Sequence, residues 1–354
     1  MHDFDAKSGG ALSRRALLRC GAAAAGLAAF GAPARAQSGE LLVANWGGDW
    51  NDRTVRYVEA PLLESKGLKI VRTLNLEPER KTKLLAERSL PRGSIDVAHF
   101  SAGDAFELNE QEVLEQLDLS KIPNYAHVRA GLRAPYFVPW VFGGVTLAFN
   151  PKFIKEPPGS FAELWNPKYA GKVGVLDQSY YNWIYMAALV GGGKMNAVEP
   201  GFAKLAEMKR TMQPKVYPTH QQLAAAFANE EVWISANYSA RIAQWAKDGV
   251  SVRSAWPKEG AVTIVFGATL PRRARNKDAA YQYLNALLDP RALGAYSAAS
   301  MYAPATDNAQ LSDDVRAAID FTPAQQASLN HPDYGYQAKN LSQWQERWNK
   351  EFKG

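Results

Sequence analysis

Cysteine is nearly absent: the 354-residue chain has one, Cys20. It falls in an N-terminal stretch that reads as a removable export segment. The chain beyond it is therefore expected to hold no disulfide, no thiolate metal site and no cysteine nucleophile. A chain of this length buries enough apolar surface to stand without such staples. Histidine is sparse too. His2, His99, His127, His220 and His331 are widely separated, with no H-E-x-x-H and no cluster at metal-binding spacing. No metal or cofactor is expected. There is no G-x-S-x-G elbow. "GGGKM" at 191–195 has its first glycine misplaced for a phosphate loop and Met195 where a Mg²⁺-binding hydroxyl belongs, so it reads as the end of a helix. These absences leave an enzyme the weaker reading. No segment approaches the roughly 20 strongly apolar residues of a membrane-spanning helix. Charge is mixed, with 41 Lys and Arg against 35 Asp and Glu. The basic residues are scattered, so no nucleic-acid partner is expected.

What is present begins with "SRRALLRCGAAAAGLAAFGAPARAQ". A polar lead ends at Arg14 and Arg15, a weakly apolar Ala/Gly stretch follows, and Ala34-Arg35-Ala36 is a small-x-small cleavage site. The run from Ser13 to Arg19 resembles a twin-arginine export signal. Residues 1–36 are expected to be a cleaved signal and the remainder to be periplasmic. Arg19 precedes Cys20 and the apolar stretch follows it, which argues against a lipid anchor. The signal carries five basic residues against Asp3 and Asp5, so its removal takes the formal charge from +6 to +3.

From Leu41 onward, short β-type runs alternate with amphipathic helical runs, the pattern of α/β folds with mainly parallel sheets. "ELLVANW" leads into "NDRTVRYVEAPLLES", "LKIVRTL" into "PERKTKLLAERSL", and "IDVAHF" into "AGDAFELNEQ". Further on, "GKVGVLD" precedes "YYNWIYMAALVG", "EVWISANY" precedes "SARIAQWAKDG", and "GATLP" precedes "KDAAYQYLNALL". Ligands of such sheets collect where strands end and helices begin. That selects Trp46 to Trp50, Ser101 to Asp104, Asp177 to Asn182 and Asn237 to Arg241. His99, just before Ser101, reads as a half-buried strand histidine. The final run "AKNLSQWQERWNKEF" repeats Trp344, Arg347, Trp348 and Phe352 along one side, a packing stripe.

The stretch "ANWGGDW" at 44–50 admits two readings. In one, Trp46 offers an indole face to a ligand, Gly47 and Gly48 let backbone N–H groups approach it, and Asp49 supplies a carboxylate. In the plainer one, the tryptophans are core, the glycines make a turn, and Asp49 caps a helix over 51–65.

Three stretches bring a family into view: "NWGGDW", "SFAELWNPKYAGKVGVLD", and "AWPKEGAVTIVFGATLPRRARNKDAAYQYLNALLDPRALGAYSA". In this order they resemble the periplasmic solute-binding proteins of the spermidine/putrescine transporter type, from about Leu41 to the C-terminus. The resemblance implies an α/β, two-lobed type II binding-protein fold with a ligand cleft between lobes. Crossovers are expected near Val145–Phe149 and Ala268–Pro271, giving lobe one as 40–146 plus 270–354 and lobe two as 147–269. It implies a monomeric, non-enzymatic protein that captures a small molecule and delivers it to the permease of an ABC importer.

The departures from that family bear on the ligand. Asp49 stands where polyamine binders usually carry an aromatic. "DQSYYN" offers Gln178 or Ser179, and Tyr181 or Asn182, where two acids are expected. Ile264 and Phe266 replace a Trp and an Asp, Ala236 replaces a Trp, and Gly103 replaces an aromatic, although Ser101 matches. Without those carboxylates polyamines are expected to bind poorly. What remains is a set of aromatic walls (Trp46, Tyr180, Tyr181, Tyr238, Phe266, Tyr302) and neutral hydrogen-bonding groups (Ser101, Gln178, Asn182, Asn237). Arg241 is either a carboxylate clamp or a solvated surface arginine. With Asp49 or Asp104 opposite it the site suits an amino-acid-like zwitterion, and without them an organic anion. The alternatives are a polyamine, ferric ion held by Tyr180 and Tyr181, a phosphonate, or an exported hydrolase on the same scaffold.

Overall fold

The computed structural model describes residues 39–354. The export-signal reading at 1–36, Cys20 included, lies outside the described residues. The strands are, in chain order, β1 (Leu41–Asn45), β2 (Ile70–Leu74), β3 (Val97–Ser101), β4 (Val138–Phe149) and β5 (Gly174–Leu176). They continue as β6 (Lys215–Tyr217), β7 (Ile234–Tyr238), β8 (Arg253–Ala255), β9 (Val262–Thr269) and β10 (Ala303–Pro304).

The early part obeys the expected alternation. β1 lies parallel to β2 and β3, and each of the three is followed by a helix: Asp49–Thr54, Glu77–Glu87 and Ala102–Glu110. β5 and β6 form a small parallel pair. The expectation of mainly parallel sheets fails at β4. This strand is buried along its whole length and pairs antiparallel with β9 over Val138–Val145 and with β7 over Val145–Phe149. β8 and β10 also run antiparallel to β4, and β9 runs antiparallel to β3. The sheet is therefore mixed. The cause is readable in "VPWVFGGVTLAF", a continuous apolar run with no alternation, which suits a central strand covered on both faces. Pro139 would argue against a central strand, but it sits at a register shift between Pro139 and Val141, where the ladder is already interrupted.

β9 passes very close to β4. A Cβ added to Gly267 would stand 2.1 Å from the carbonyl oxygen of Val138 and 2.6 Å from Phe137. No side chain fits there, so this register of the β4–β9 ladder requires glycine at 267.

The helix after β1 differs from the expected capped helix over 51–65. It starts at Asp49, its N-cap is Gly48 (φ 62°), and it widens to a π-helical turn at Val55–Glu59. Gly48 adopts a backbone that favours glycine, which releases the Asp49 side chain from capping to pair with Arg53 at 2.7 Å. "GGGKM" does end a helix, Tyr180–Val190, at Gly191. The C-terminal stripe is buried at Trp344, Trp348 and Phe352. Arg347 lies at its edge, 3.6 Å over the Phe202 ring and paired with Glu199 and Glu351.

His99 is wholly buried, not half-buried. Its Nε2 lies 2.9 Å from the Tyr283 hydroxyl, which donates in turn to Glu59 Oε1 at 2.8 Å. Tyr283 has one hydrogen to give, so the proton of His99 sits on Nε2 and points at Tyr283. Glu59 also accepts from Arg72. This chain of polar groups ties β3, β2 and two helices together beneath the sheet.

Two tests follow from this core. Gly267→Ala should cost about 3 kcal/mol in urea unfolding, because the added methyl forces β9 off β4. The second concerns acid. Burial, with Arg80 adding for His99 and Arg241 for His220, pushes both histidines down to about 3. They stay neutral when folded, whereas the unfolded chain takes up protons near pH 6.5. Their contribution is complete above pH 6.5 and is lost as pH falls toward 3, by about 1.4 kcal/mol per pH unit for each histidine. His220→Gln should therefore lose about 2 kcal/mol less stability than wild type between pH 7.5 and pH 5, measured by urea unfolding at both.

Candidate functional site

A cavity of about 620 Å³ opens where strands end. Leu74 closes β2, Ser101 closes β3, Tyr238 closes β7, and Trp46 follows β1; all four line it. Phe266 of β9 is its aromatic centre. The rings of Trp46, Trp50, Tyr302 and Tyr238 stand edge-on to it at 5.6, 5.5, 5.7 and 6.0 Å between centroids. The two tryptophans divide their work. Trp50 is buried and packs on Trp140 and Tyr296 as floor and core together, while Trp46 is half-buried at the wall.

Arg241 is a wall residue, not a solvated one: its side chain is 22 % exposed and it lines the cavity. Its Nη1 donates to Gln244 Oε1 at 3.1 Å and lies 3.6 Å from Asp49 Oδ2. Its Nε is buried with no partner among the described residues. Asp49 is therefore shared between Arg53 and Arg241, with an exposed edge toward the cavity.

The cavity brings together Trp46, Asp49, Ser101, Gln178, Tyr181, Tyr238, Arg241, Phe266 and Tyr302. Ser101 reaches it with its oxygen already committed as the N-cap that accepts from the Asp104 N–H at 3.4 Å. Four expected residues fall outside the lining: Asp104, Asn182, Asn237 and Tyr180. Asp104 turns to Lys81 at 2.9 Å, and Lys81 also holds Glu107. Asn237 is buried with its oxygen accepting the Tyr238 N–H at 2.8 Å, and Asn182 is buried within its helix. The tyrosine pair is split. Tyr181 lines the cavity, whereas the Tyr180 hydroxyl donates to the carbonyl of Leu341 at 3.3 Å, which removes the paired-phenolate arrangement. Among the described residues no three His, Cys, Asp or Glu side chains group as a metal site.

Two lining segments escaped the reading of the sequence. One is 74–79 after β2, including Asn75, Glu77 and Glu79; the other is Thr219, His220 and Gln221 after β6. The strand-end rule, applied to "LKIVRTL", would have found the first. The second follows a three-residue strand too short to signal. Glu77 accepts the Ser101 N–H, and burial with the nearby Asp104 charge pushes its carboxyl up to about 8.

The comparisons with known proteins agree with one another. The chain is 25% identical over 293 residues to the spermidine/putrescine-binding periplasmic protein of Escherichia coli K12, covering 78% of this chain and 79% of that one. It is 25% identical over 240 residues to the gamma-aminobutyric acid-binding protein of Pseudomonas aeruginosa PAO1, covering 65% and 67%. Its fold is shared with the crystal structure of an ABC transporter substrate-binding protein from Bradyrhizobium japonicum USDA 110, at a TM-score of 0.77 and 22% identity over 88% of this chain and 99% of that one. The α/β fold is that of type II periplasmic binding proteins. The model of the bacterial extracellular solute-binding proteins matches residues 63–323. The chain belongs to that family, one of solute-binding proteins and not of enzymes.

Proposed function

We propose that the cavity captures a compact solute bearing a carboxylate and an amine, an amino-acid-like zwitterion. The observation that carries this reading is Arg241 in the cavity wall, 22 % exposed, with Asp49 Oδ2 3.6 Å from its Nη1. A ligand carboxylate on the guanidinium and an ammonium at Asp49 would each gain a charge-assisted bond, and intervening methylenes would lie against Trp46 and Phe266. The gamma-aminobutyric acid-binding relative supports the class. Polyamine binding is the second reading, favoured by Glu77 and Glu79 in the lining and by the spermidine/putrescine-binding relatives.

The protein works in the periplasm as a monomer, after removal of residues 1–36, with no nucleic-acid partner. Lobe one, 40–146 plus 270–354, closes on lobe two, 147–269, and the closed form docks on the permease. Contacts made by both lobes only when closed supply the driving force. The pairing of β4 with β9 along one half and with β7 and β8 along the other supports a hinge along that strand.

A thermal-shift panel of the chain from Gln37 tests the ligand class, since a solute that binds only the folded state raises the melting temperature. Gamma-aminobutyric acid or 5-aminovalerate should shift it and spermidine should not; the reverse pattern would favour the polyamine reading. Arg241→Ala should weaken a carboxylate ligand about 100-fold by calorimetry, and Asp49→Asn should weaken only ligands with an amine. Trp46→Ala should abolish binding while the protein still folds, checked by calorimetry and circular dichroism, with some loss of stability because Arg80 loses the indole face. Unfolding of that variant would return Trp46 to a purely structural role.

A further inference from the structure

Trp46 has a charged neighbour that does not reach the cavity. Arg80 of the Glu77–Glu87 helix is wholly buried. Its guanidinium carbon lies 4.6 Å from the Trp46 ring centroid and 5.5 Å from that of Phe100. The group is pinned by the chain itself. Nε donates to the carbonyl of His99 at 3.1 Å, and Nη1 donates to the carbonyl of Asn75 and to its Oδ1 at 3.3 Å. None of these bonds goes to a carboxylate, and Nη2 has no partner among the described residues.

The acids nearby act on this charge from a distance, and none is hydrogen-bonded to it. Burial and the Asp104 charge move the Glu77 carboxyl toward its neutral form. Asp104 is engaged by Lys81 at 2.9 Å, and Glu79 is exposed. Burial lowers Arg80 only to about 10, so it remains a cation at neutral pH. A buried cation of this kind persists because the indole and Phe100 faces accept it.

An indole whose quadrupole already serves one cation is a poor host for a second, and the two repel through a medium less polar than water. We propose that Arg80, acting through Trp46, sets the charge preference of the cavity: it keeps ammonium groups off the indole and favours a carboxylate or uncharged carbon there. The inference rests on the reading that the cavity binds a small solute, and it narrows the class. An amine finds its partner at a carboxylate such as Asp49, and a ligand that is cationic at both ends is left with one end against Trp46. Arg80 is a positioning residue, outside the lining itself.

The test uses three ligands with the same four methylenes: adipate, 5-aminovalerate and putrescine, titrated calorimetrically into the chain from Gln37. Wild type should bind adipate or 5-aminovalerate at least about 10-fold more tightly than putrescine. Arg80→Met should shrink that ratio at least about 10-fold, and Arg80→Lys, which keeps the charge, should restore it. A merely structural arginine would weaken all three ligands alike. An unchanged ratio in folded Arg80→Met, or a wild type that prefers putrescine, overturns the role of Arg80 and leaves solute binding intact. Failure of wild type to bind any of the three overturns the reading of the cavity and the inference with it. If Arg80→Met does not fold, Arg80→Gln and the wild-type order decide.

Discussion

The constraint on which the rest of the molecule depends is the burial of β4 along all twelve of its residues. A strand with no solvent face must find a partner on each edge and a covering layer on each side. β9 and β10 occupy the first half and β7 and β8 the second, so segments far apart in the chain are gathered onto one axis. The register of β9 on β4 requires glycine at 267, and that register presents Phe266 to the cavity. The aromatic centre of the site is therefore a consequence of how two central strands meet.

Around that centre, the charges are arranged asymmetrically. Carboxylates and cations both border the cavity, but they are not free to the same degree. Asp49 is divided between two arginines and Glu77 is drawn toward neutrality by burial, while Glu79 is exposed in the lining; Asp104, outside it, is committed to Lys81. Of the cations, Arg241 borders the cavity and Arg80 lies behind Trp46, and each keeps a buried nitrogen without a partner among the described residues. Counting acids along the chain does not describe this wall; the partners of each acid have to be counted with it.

The parts of the site that were legible are those in which chemistry and strand ends coincide. Trp46, Ser101, Tyr238 and Arg241 each fall at or just beyond the end of a strand whose hydrophobic pattern is plain, and local pattern carries such information. Asn182, Asn237 and Asp104 have the same positions by that rule and lie outside the lining: Asn182 is buried within its helix, a backbone N–H claims the Asn237 oxygen, and Lys81 claims Asp104. Glu77 and His220 were passed over for the opposite reason. One follows a strand whose end was not pursued, and the other follows a strand of three residues. The mixed sheet was missed because "VPWVFGGVTLAF" has no period, and a run without a period does not say which neighbours it will take.

The sequence by itself determined the early α/β alternation, the helix end at Gly191 and the family, since motif order and short-range periodicity are properties of neighbouring residues. Only the tertiary structure decided that Arg80 lies against Trp46, that Asp49 stands within reach of Arg241 and that Tyr180 and Tyr181 part company. The first two join residues from different elements, and the third depends on which neighbours pack against the two faces of one helix. Their separation depends on strand register and helix packing, which are settled by burial over the whole chain and not by any local stretch of it.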